Sequence, residues 1–75
     1  MNEVTYEILD HIGVLSAGER QKEVNLVSWC GRRPKIDIRE WDADHVKMSR
    51  GATFTDDEAR KLAQVLSDYY GKENI

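Results

Sequence analysis

Two aromatic and two basic side chains have the spacing of one face of a β-ribbon. In the stretch KIDIREW (35–41), Lys35, Arg39 and Trp41 occupy alternate positions, and alternate side chains of a strand share a face. Trp29 joins that face if the preceding stretch pairs with this one as a hairpin. Aromatic rings stack on the flat faces of unpaired bases, and cations beside them neutralise phosphates. This combination of residue types therefore predicts a surface for single-stranded nucleic acid.

Charge is distributed unevenly along the chain. The sequence has 75 residues and a formal net charge of −3, which by itself argues against a polyanionic partner. Residues 20–50, however, carry a net charge of +3, whereas the remaining residues carry −6. Because a polyanion responds to the local patch and not to the total charge, the basic middle segment is consistent with phosphate binding.

Length and composition indicate one small domain spanning residues 1–75. A chain of this size buries only about 60% of its unfolded surface, which favours oligomerisation as an additional source of stability. A single cysteine, Cys30, excludes an intramolecular disulfide. No apolar run approaches the roughly 18 residues of a membrane span, and the amino terminus is acidic rather than signal-like. We therefore expect a cytoplasmic protein, associated with the nucleoid if bacterial, with no membrane partner, cofactor or small-molecule substrate.

Hydrophobic periodicity predicts four strands followed by one helix. The predicted strands are 4–16, 22–30, 35–41 and 49–54. We expect a bend or bulge at Gly13, a hairpin turn at GRRP (31–34), and a core-facing side formed by Ile36 and Ile38. Short connections favour an antiparallel sheet. The predicted fold class is α+β, with the element order β-β-β-β-α.

The carboxy-terminal segment has the clearest helical pattern. TDDE (55–58) is a capping box, in which Thr55 is the N-cap and Glu58 bonds back to its N–H, and Gly71 is placed to end the helix. A helix of about fifteen residues shields only part of a sheet face. Its remaining apolar groups predict a homodimer, since two-fold pairs are the commonest oligomers. The predicted dimer interface consists of Leu62, Val65, Leu66, Tyr69 and Tyr70.

Three short motifs, taken in order, resemble those of a known family. They are VSW (27–29), PK-DIR-W (34–41) and DH-KM-G-T (44–53), and each alone is a weak signature. Their order and spacing, from about Tyr6 to Leu66, are similar to those of the positive-cofactor-four (PC4-like) family of single-stranded DNA binders, specifically its compact bacterial YdbC-like branch.

The resemblance implies a curved sheet, a dimer formed mainly through the helix, and grooves that hold single-stranded DNA with little sequence preference. It implies that Trp29 and Trp41 stack on bases and that Lys35 and Arg39 contact phosphates. Further candidate contacts on this face or along the groove are Lys22, Asn25, Arg32, Arg33, Lys47 and Arg50. The serine-rich arm of eukaryotic members is missing, so the expected role is basal DNA binding in transcription, replication or repair.

The tryptophans and charges also have a simpler interpretation. Tryptophans on a sheet face often belong to a core or a dimer interface, and Asp37 can pair with Lys35 or with Arg39 of a partner copy. A Trp41→Ala substitution separates the two interpretations. If Trp41 is an exposed base platform, the variant folds and loses nucleic-acid binding. If Trp41 is a core residue, the variant fails to fold.

Metal and enzyme sites have weaker support. Glu40, Asp42, Asp44 and His45 lie close together in sequence, but they lack a fixed motif such as the EF-hand series. Neither His11 nor Cys30 has the companions of a catalytic site, and a nuclease needs several clustered carboxylates. We therefore predict no enzymatic activity and no metal.

Two alternatives concern the ligand. The same Trp/Arg face suits a protein-interaction module that binds a polypeptide. Salt separates the two functions, since the logarithm of a single-stranded DNA affinity falls with slope of roughly −0.7 per phosphate neutralised. Single-stranded RNA also stays open as a ligand, because stacking and phosphate contacts ignore the sugar.

Overall fold

The computed structural model describes residues 5–73 of the chain. Its elements are β1 (Tyr6–Ser16), β2 (Gln21–Trp29), β3 (Lys35–Trp41), β4 (Ala52–Phe54) and α1 (Asp56–Glu73). The four strands form one antiparallel sheet in the order β1-β2-β3-β4, with β1 and β4 at its edges. The predicted fold class is confirmed. The predicted start of the first strand at residue 4 lies outside the described residues.

The turn between β2 and β3 begins earlier than predicted. The N–H of Arg32 donates to the Trp29 carbonyl at 2.9 Å, across Cys30 and Gly31, whose φ angles are 52° and 71°. Positive φ at both central positions is the conformation of a type I′ turn, which favours glycine. The prediction that Cys30 belongs to the second strand is therefore wrong, because Cys30 lies in the turn.

Strand β1 bends repeatedly along the edge of the sheet. Its register with β2 shifts at three places, between Ile8 and Asp10, between His11 and Gly13, and between Val14 and Ser16. Each shift adds an unpaired residue and increases the local twist. The shift at Gly13 confirms the predicted bulge, and the other two were not predicted.

The two faces of the sheet are buried to different degrees. The side chains of Ile36 and Ile38, predicted to face the core, are only half-buried. Among the described elements, α1 contacts β3 and β4 but neither β1 nor β2, so it packs only against this edge of the sheet. The opposite side of β2 and β3 carries the odd-numbered residues 21–29 and 35–41, and we call it the polar face. Its fully buried side chains are Glu23, Asn25, Val27, Asp37 and Trp41.

Helix α1 begins as predicted and ends later. The N–H of Thr55 donates to Glu58 Oε1 at 2.9 Å, and the N–H of Glu58 donates to Thr55 Oγ1 at 3.2 Å, which confirms the capping box. The helix continues through Gly71 to Glu73, and Gly71 does not have the positive φ of a helix-ending glycine. The prediction that Gly71 ends the helix is wrong. The described part of the chain has no helix with the length and apolar character needed to cross a membrane.

Candidate nucleic-acid interface

The polar face opens into a cavity where β2 turns into β3. The cavity has a volume of about 350 Å³, and we call it the basic cavity. It is lined by Trp29, Arg32, Arg33, Lys35, Arg39 and Thr53. Arg32, Arg33 and Lys35 are exposed, so their charges are available to a ligand. An indole surrounded by cations has the composition that successive bases and phosphates require.

The hairpin turn places the cations at this end of the sheet. The type I′ turn is reinforced by Ser28, whose Oγ donates to the Arg32 carbonyl at 2.6 Å. Pro34 follows and has a fixed φ, so the chain enters β3 at Lys35 in an extended conformation. The predicted meeting of Arg32, Arg33 and Lys35 beside Trp29 is observed in the cavity lining.

Arg39 lies against Trp29 and does not point freely into the cavity. Its guanidinium carbon is 4.5 Å from the centroid of a Trp29 ring, which is a cation–π contact. Arg39 Nε donates to Asp37 Oδ1, and one terminal nitrogen donates to Asp37 Oδ2, both at 2.7 Å. The pair is largely shielded, since the exposed fractions of the Arg39 and Asp37 side chains are 14% and 0%.

This geometry bears on two expectations about Arg39 and Asp37. Arg39 was predicted to contact phosphate, yet its charge is already matched by Asp37 in a bidentate pair. Asp37 was considered as a partner of Lys35 or of Arg39 in another copy, and it pairs with Arg39 of its own strand. The physical reason is spacing, because residues two apart on a strand lie on the same face.

The segment after β3 closes over the guanidinium. The second terminal nitrogen of Arg39 lies 3.5 Å from both Met48 Sδ and the Ser49 carbonyl oxygen. A Cβ at Gly51 would lie 2.4 Å from Arg39 Cβ and from the Ile38 carbonyl oxygen. The chain can therefore pass this close to β3 only because residue 51 has no side chain.

Trp41 is enclosed, contrary to the prediction of an open stacking platform. Its exposed fraction is 0%, and its ring centroid lies 5.2 Å from that of Tyr6 and 5.7 Å from that of His45. The Tyr6 hydroxyl donates to the His45 carbonyl, which ties the loop after β3 to β1. Within residues 5–73, the indole nitrogens of Trp29 and Trp41 are buried and find no hydrogen-bond partner. The expectation that Trp41 is open to solvent is wrong, because this loop and β1 cover it.

The loop over Trp41 is held by a carboxylate. Asp42 Oδ1 accepts hydrogen bonds from the N–H groups of Val46, at 2.9 Å, and Lys47, at 3.2 Å. The hydrogen bond from Val46 is the largest cause that holds the pKa of Asp42 below its usual value. His45 has a φ of 58°, so the loop keeps a conformation that is uncommon for a residue with a side chain.

A buried polar network adjoins the enclosed indole. His45 Nε2 lies 3.0 Å from both carboxylate oxygens of Glu23, and Asn25 Nδ2 donates to Glu23 Oε1 at 3.1 Å. His11 Nδ1 lies 2.7 Å from Asn25 Oδ1. Since the Asn25 oxygen can only accept, His11 is the donor there. Burial raises the pKa of Glu23, but the hydrogen bonds from Asn25 and His45 outweigh it and hold this pKa below the usual value.

The other predicted contact residues lie elsewhere. Asn25 is buried in the Glu23 network, and Lys22 lies opposite Glu40 on the other face of the sheet. Lys47 and Arg50 are exposed in the segment between β3 and β4 and do not line the basic cavity. Asn25 shares the polar face with Trp29, as predicted, but its side chain is buried, and none of these four residues lines the basic cavity. Among residues 5–73, no three acidic, histidine or cysteine side chains are arranged to hold a metal ion.

Comparison with known proteins identifies the family. Residues 17–65, well over half of the chain, match the family described as Transcriptional Coactivator p15 (PC4). The chain belongs to the PC4 family. An uncharacterized protein of Treponema pallidum (strain Nichols) is 38% identical over 64 residues, which are 83% of this chain and 75% of that protein. The PC4 family is a DNA-binding and non-enzymatic family, and membership points to single-stranded DNA binding or a transcription-cofactor role.

The span that matches the PC4 family contains the whole basic cavity. It runs from the turn before β2 into α1, and every residue that lines the cavity lies within it. Tyr6 and His11 precede the span and complete the cover of Trp41 and the Glu23 network. The finer assignment to the YdbC-like branch stays a prediction.

Four residues of the site were not assigned from the sequence. They are Tyr6, Glu23, Gly51 and Thr53. Thr53 lies opposite Asp37 in the register of β3 and β4, so a sequence register for the short fourth strand would have found it. Glu23 and Trp29 are both odd-numbered residues of β2 and therefore lie on the same face of the sheet. This spacing indicates that the polar face is not purely basic.

Proposed function

We propose that this PC4-family chain binds single-stranded DNA with little sequence preference through the basic cavity. Trp29 provides the stacking surface, and Arg32, Arg33 and Lys35 neutralise phosphates. The observation that carries the proposal is the half-buried indole that lines one cavity together with these three exposed cations. Stacking contributes roughly 1–3 kcal/mol per base without regard to base identity, so weak sequence preference is expected.

The proposal gives the two tryptophans different roles. Trp29 lines the basic cavity, whereas Trp41 is enclosed and we assign it a packing role in this structure. Duplex DNA should bind less well, since its base faces are covered by their neighbours in the stack. Single-stranded RNA has unpaired bases and phosphates as well, and it is the natural competitor to test.

We further propose that the chain acts as a homodimer. Val65, Leu66, Tyr69 and Tyr70 on α1 are each about half exposed. On the side of the sheet opposite the polar face, four apolar side chains are only half-buried, namely Val24, Leu26, Ile36 and Ile38. A second copy that covers both surfaces would bury apolar area that one chain leaves in water.

The test is a competition assay with fluorescently labelled oligo-dT. Unlabelled single-stranded DNA, single-stranded RNA and duplex DNA of equal length compete at low salt, and the expected order has duplex DNA as the weakest competitor. Trp29→Ala should lose about 1–3 kcal/mol of binding free energy. Lys35→Ala should weaken binding and reduce the salt slope by about 0.7.

Lys61→Ala is the matched control for Lys35→Ala. Lys61 is an exposed cation on α1, outside the cavity lining, so its removal changes the net charge equally and should leave the binding unchanged. A lack of oligo-dT binding at low salt would refute the proposal. Binding to a polypeptide with an affinity that barely responds to salt would favour the protein-interaction alternative.

A further inference from the structure

Each nitrogen of the Arg39 guanidinium has a partner among the residues that the structure describes. Two of its nitrogens donate to Asp37 at 2.7 Å, and the third lies 3.5 Å from Met48 Sδ and from the Ser49 carbonyl oxygen. Its carbon lies 4.5 Å from the centroid of a Trp29 ring. All three nitrogens therefore have partners within the chain, and the central carbon lies over the indole.

This arrangement leaves Arg39 with little charge to offer to a phosphate. The opposing carboxylate of Asp37 is completely buried, and a buried carboxylate is costly to leave unpaired. Gly51 also lies so close that even a methyl group there would meet the Arg39 side chain. To reach a phosphate, the guanidinium would have to abandon Asp37 and move out from under residues 48–51.

We propose that Arg39 is a positioning residue that holds Trp29, and that Asp37 holds Arg39. The proposal deepens the proposed function and rests on it, because it concerns how the stacking indole of the basic cavity is oriented. A planar guanidinium can pair with a carboxylate at its edge and lie against a ring with its face. Lysine cannot do both, since its ammonium is a point charge without a planar face.

The advantage of such a support is pre-organisation. An indole that is free to change rotamer must be ordered when a base binds, and ordering a side chain lowers affinity by about threefold to tenfold. In this chain the ring of Trp29 already lies against two groups. The guanidinium carbon of Arg39 is 4.5 Å from a Trp29 ring centroid, and the ring centroids of Tyr6 and Trp29 are 5.7 Å apart. The three exposed cations of the cavity are then left to meet the phosphates.

Salt dependence and a conservative substitution distinguish positioning from phosphate contact. Arg39→Lys and Arg39→Gln are both expected to lose about threefold to tenfold in oligo-dT affinity at an unchanged salt slope. Lys35→Ala is the reference for a phosphate contact, with a slope smaller by about 0.7. Near-normal binding by Arg39→Lys, together with a reduced slope in Arg39→Gln, would overturn the proposal.

Asp37→Asn is expected to change DNA affinity in opposite directions for a positioning role and for a phosphate-contact role of Arg39. If Asp37 holds the support of Trp29, removing its charge weakens DNA binding even though the protein loses an acid. If Arg39 is a phosphate contact restrained by Asp37, the same substitution strengthens binding. Circular dichroism checks that each variant folds. If the other variants unfold, Met48→Ala replaces them, since it removes a contact of Arg39 without changing the charge. Weaker DNA binding at an unchanged salt slope would support the proposal, and wild-type affinity would count against it.

A DNA-free readout separates this proposal from the proposed function. With 5-fluorotryptophan incorporated, the Trp29 fluorine signal of the free protein is assigned from a Trp29→Phe variant. Arg39→Lys should shift or broaden that signal, and an unchanged signal would refute the positioning role. If the wild type fails to bind oligo-dT, the proposed function falls, and the fluorine signal still decides whether Arg39 holds Trp29.

Discussion

At the scale of single residues, identical side chains on one face have different roles because of what covers them. Trp29 and Trp41 share the parity of the polar face, but Trp41 is sealed by Tyr6 and by the loop that contains His45. Trp41→Ala should therefore lower the free energy of unfolding by about 3–5 kcal/mol, as for other buried aromatics. Urea denaturation measures this loss. If Trp41→Ala instead has wild-type stability and weakened DNA binding, Trp41 stacks on bases and does not serve mainly in packing.

The buried carboxylate of Glu23 predicts a pH dependence of stability. Its pKa is held below the ordinary value of 4.5, with the hydrogen bonds from Asn25 and His45 outweighing the opposing effect of burial. A lowered pKa in the folded state means that the unfolded state binds the proton more readily. The contribution of Glu23 is therefore complete above about pH 4.5 and is lost as the pH falls through its folded-state pKa.

The measurement is the urea midpoint at neutral pH and at pH 3.5. Glu23→Gln should be less stable than the wild type at neutral pH and should lose less stability on acidification. If the wild type and Glu23→Gln lose the same stability between the two pH values, the linkage is absent.

At the scale of elements, the sequence determined what is local and failed where distant parts meet. The strands, their order and the capping box of Thr55 and Glu58 follow from short-range patterns. The pairing of Asp37 with Arg39 also had a local signal in their spacing. The cover of Trp41 by Tyr6 had none, because residues 35 positions apart meet only through the curvature of β1. The type I′ turn lies earlier in the chain than predicted, because Cys30 adopts a positive φ that its residue type does not suggest.

Glycines on two elements give opposite predictions. Gly71 lies within α1 with open space around its Cα, so Gly71→Ala should raise the free energy of unfolding by about 0.4–1 kcal/mol. Gly31 has a φ of 71° in the turn, and Gly31→Ala should lower stability despite similar open space. Thermal denaturation of both variants tests the assignment. Destabilisation by Gly71→Ala would indicate that the helix ends at residue 71 after all.

At the scale of the whole molecule, the distribution of buried surface predicts a dimer. The described chain measures 52 × 29 × 19 Å, and α1 contacts only β3 and β4 among the described elements. Tyr69 and Tyr70 are 57% and 56% exposed, and their rings pack edge to face. An elongated small chain with apolar groups on a projecting helix gains stability when a second copy covers them.

Sedimentation of the wild type at micromolar concentration should therefore give about twice the chain mass of 8.7 kDa. Leu66→Glu should give the mass of one chain, since it places a charge on the apolar side of α1, where burial in an interface would be costly. Ser67→Glu adds the same charge at the next position, on the outer side of the helix, and should stay dimeric. A wild-type monomer would refute the dimer. Dissociation by Ser67→Glu as well would show that net charge, rather than the apolar side of α1, controls assembly.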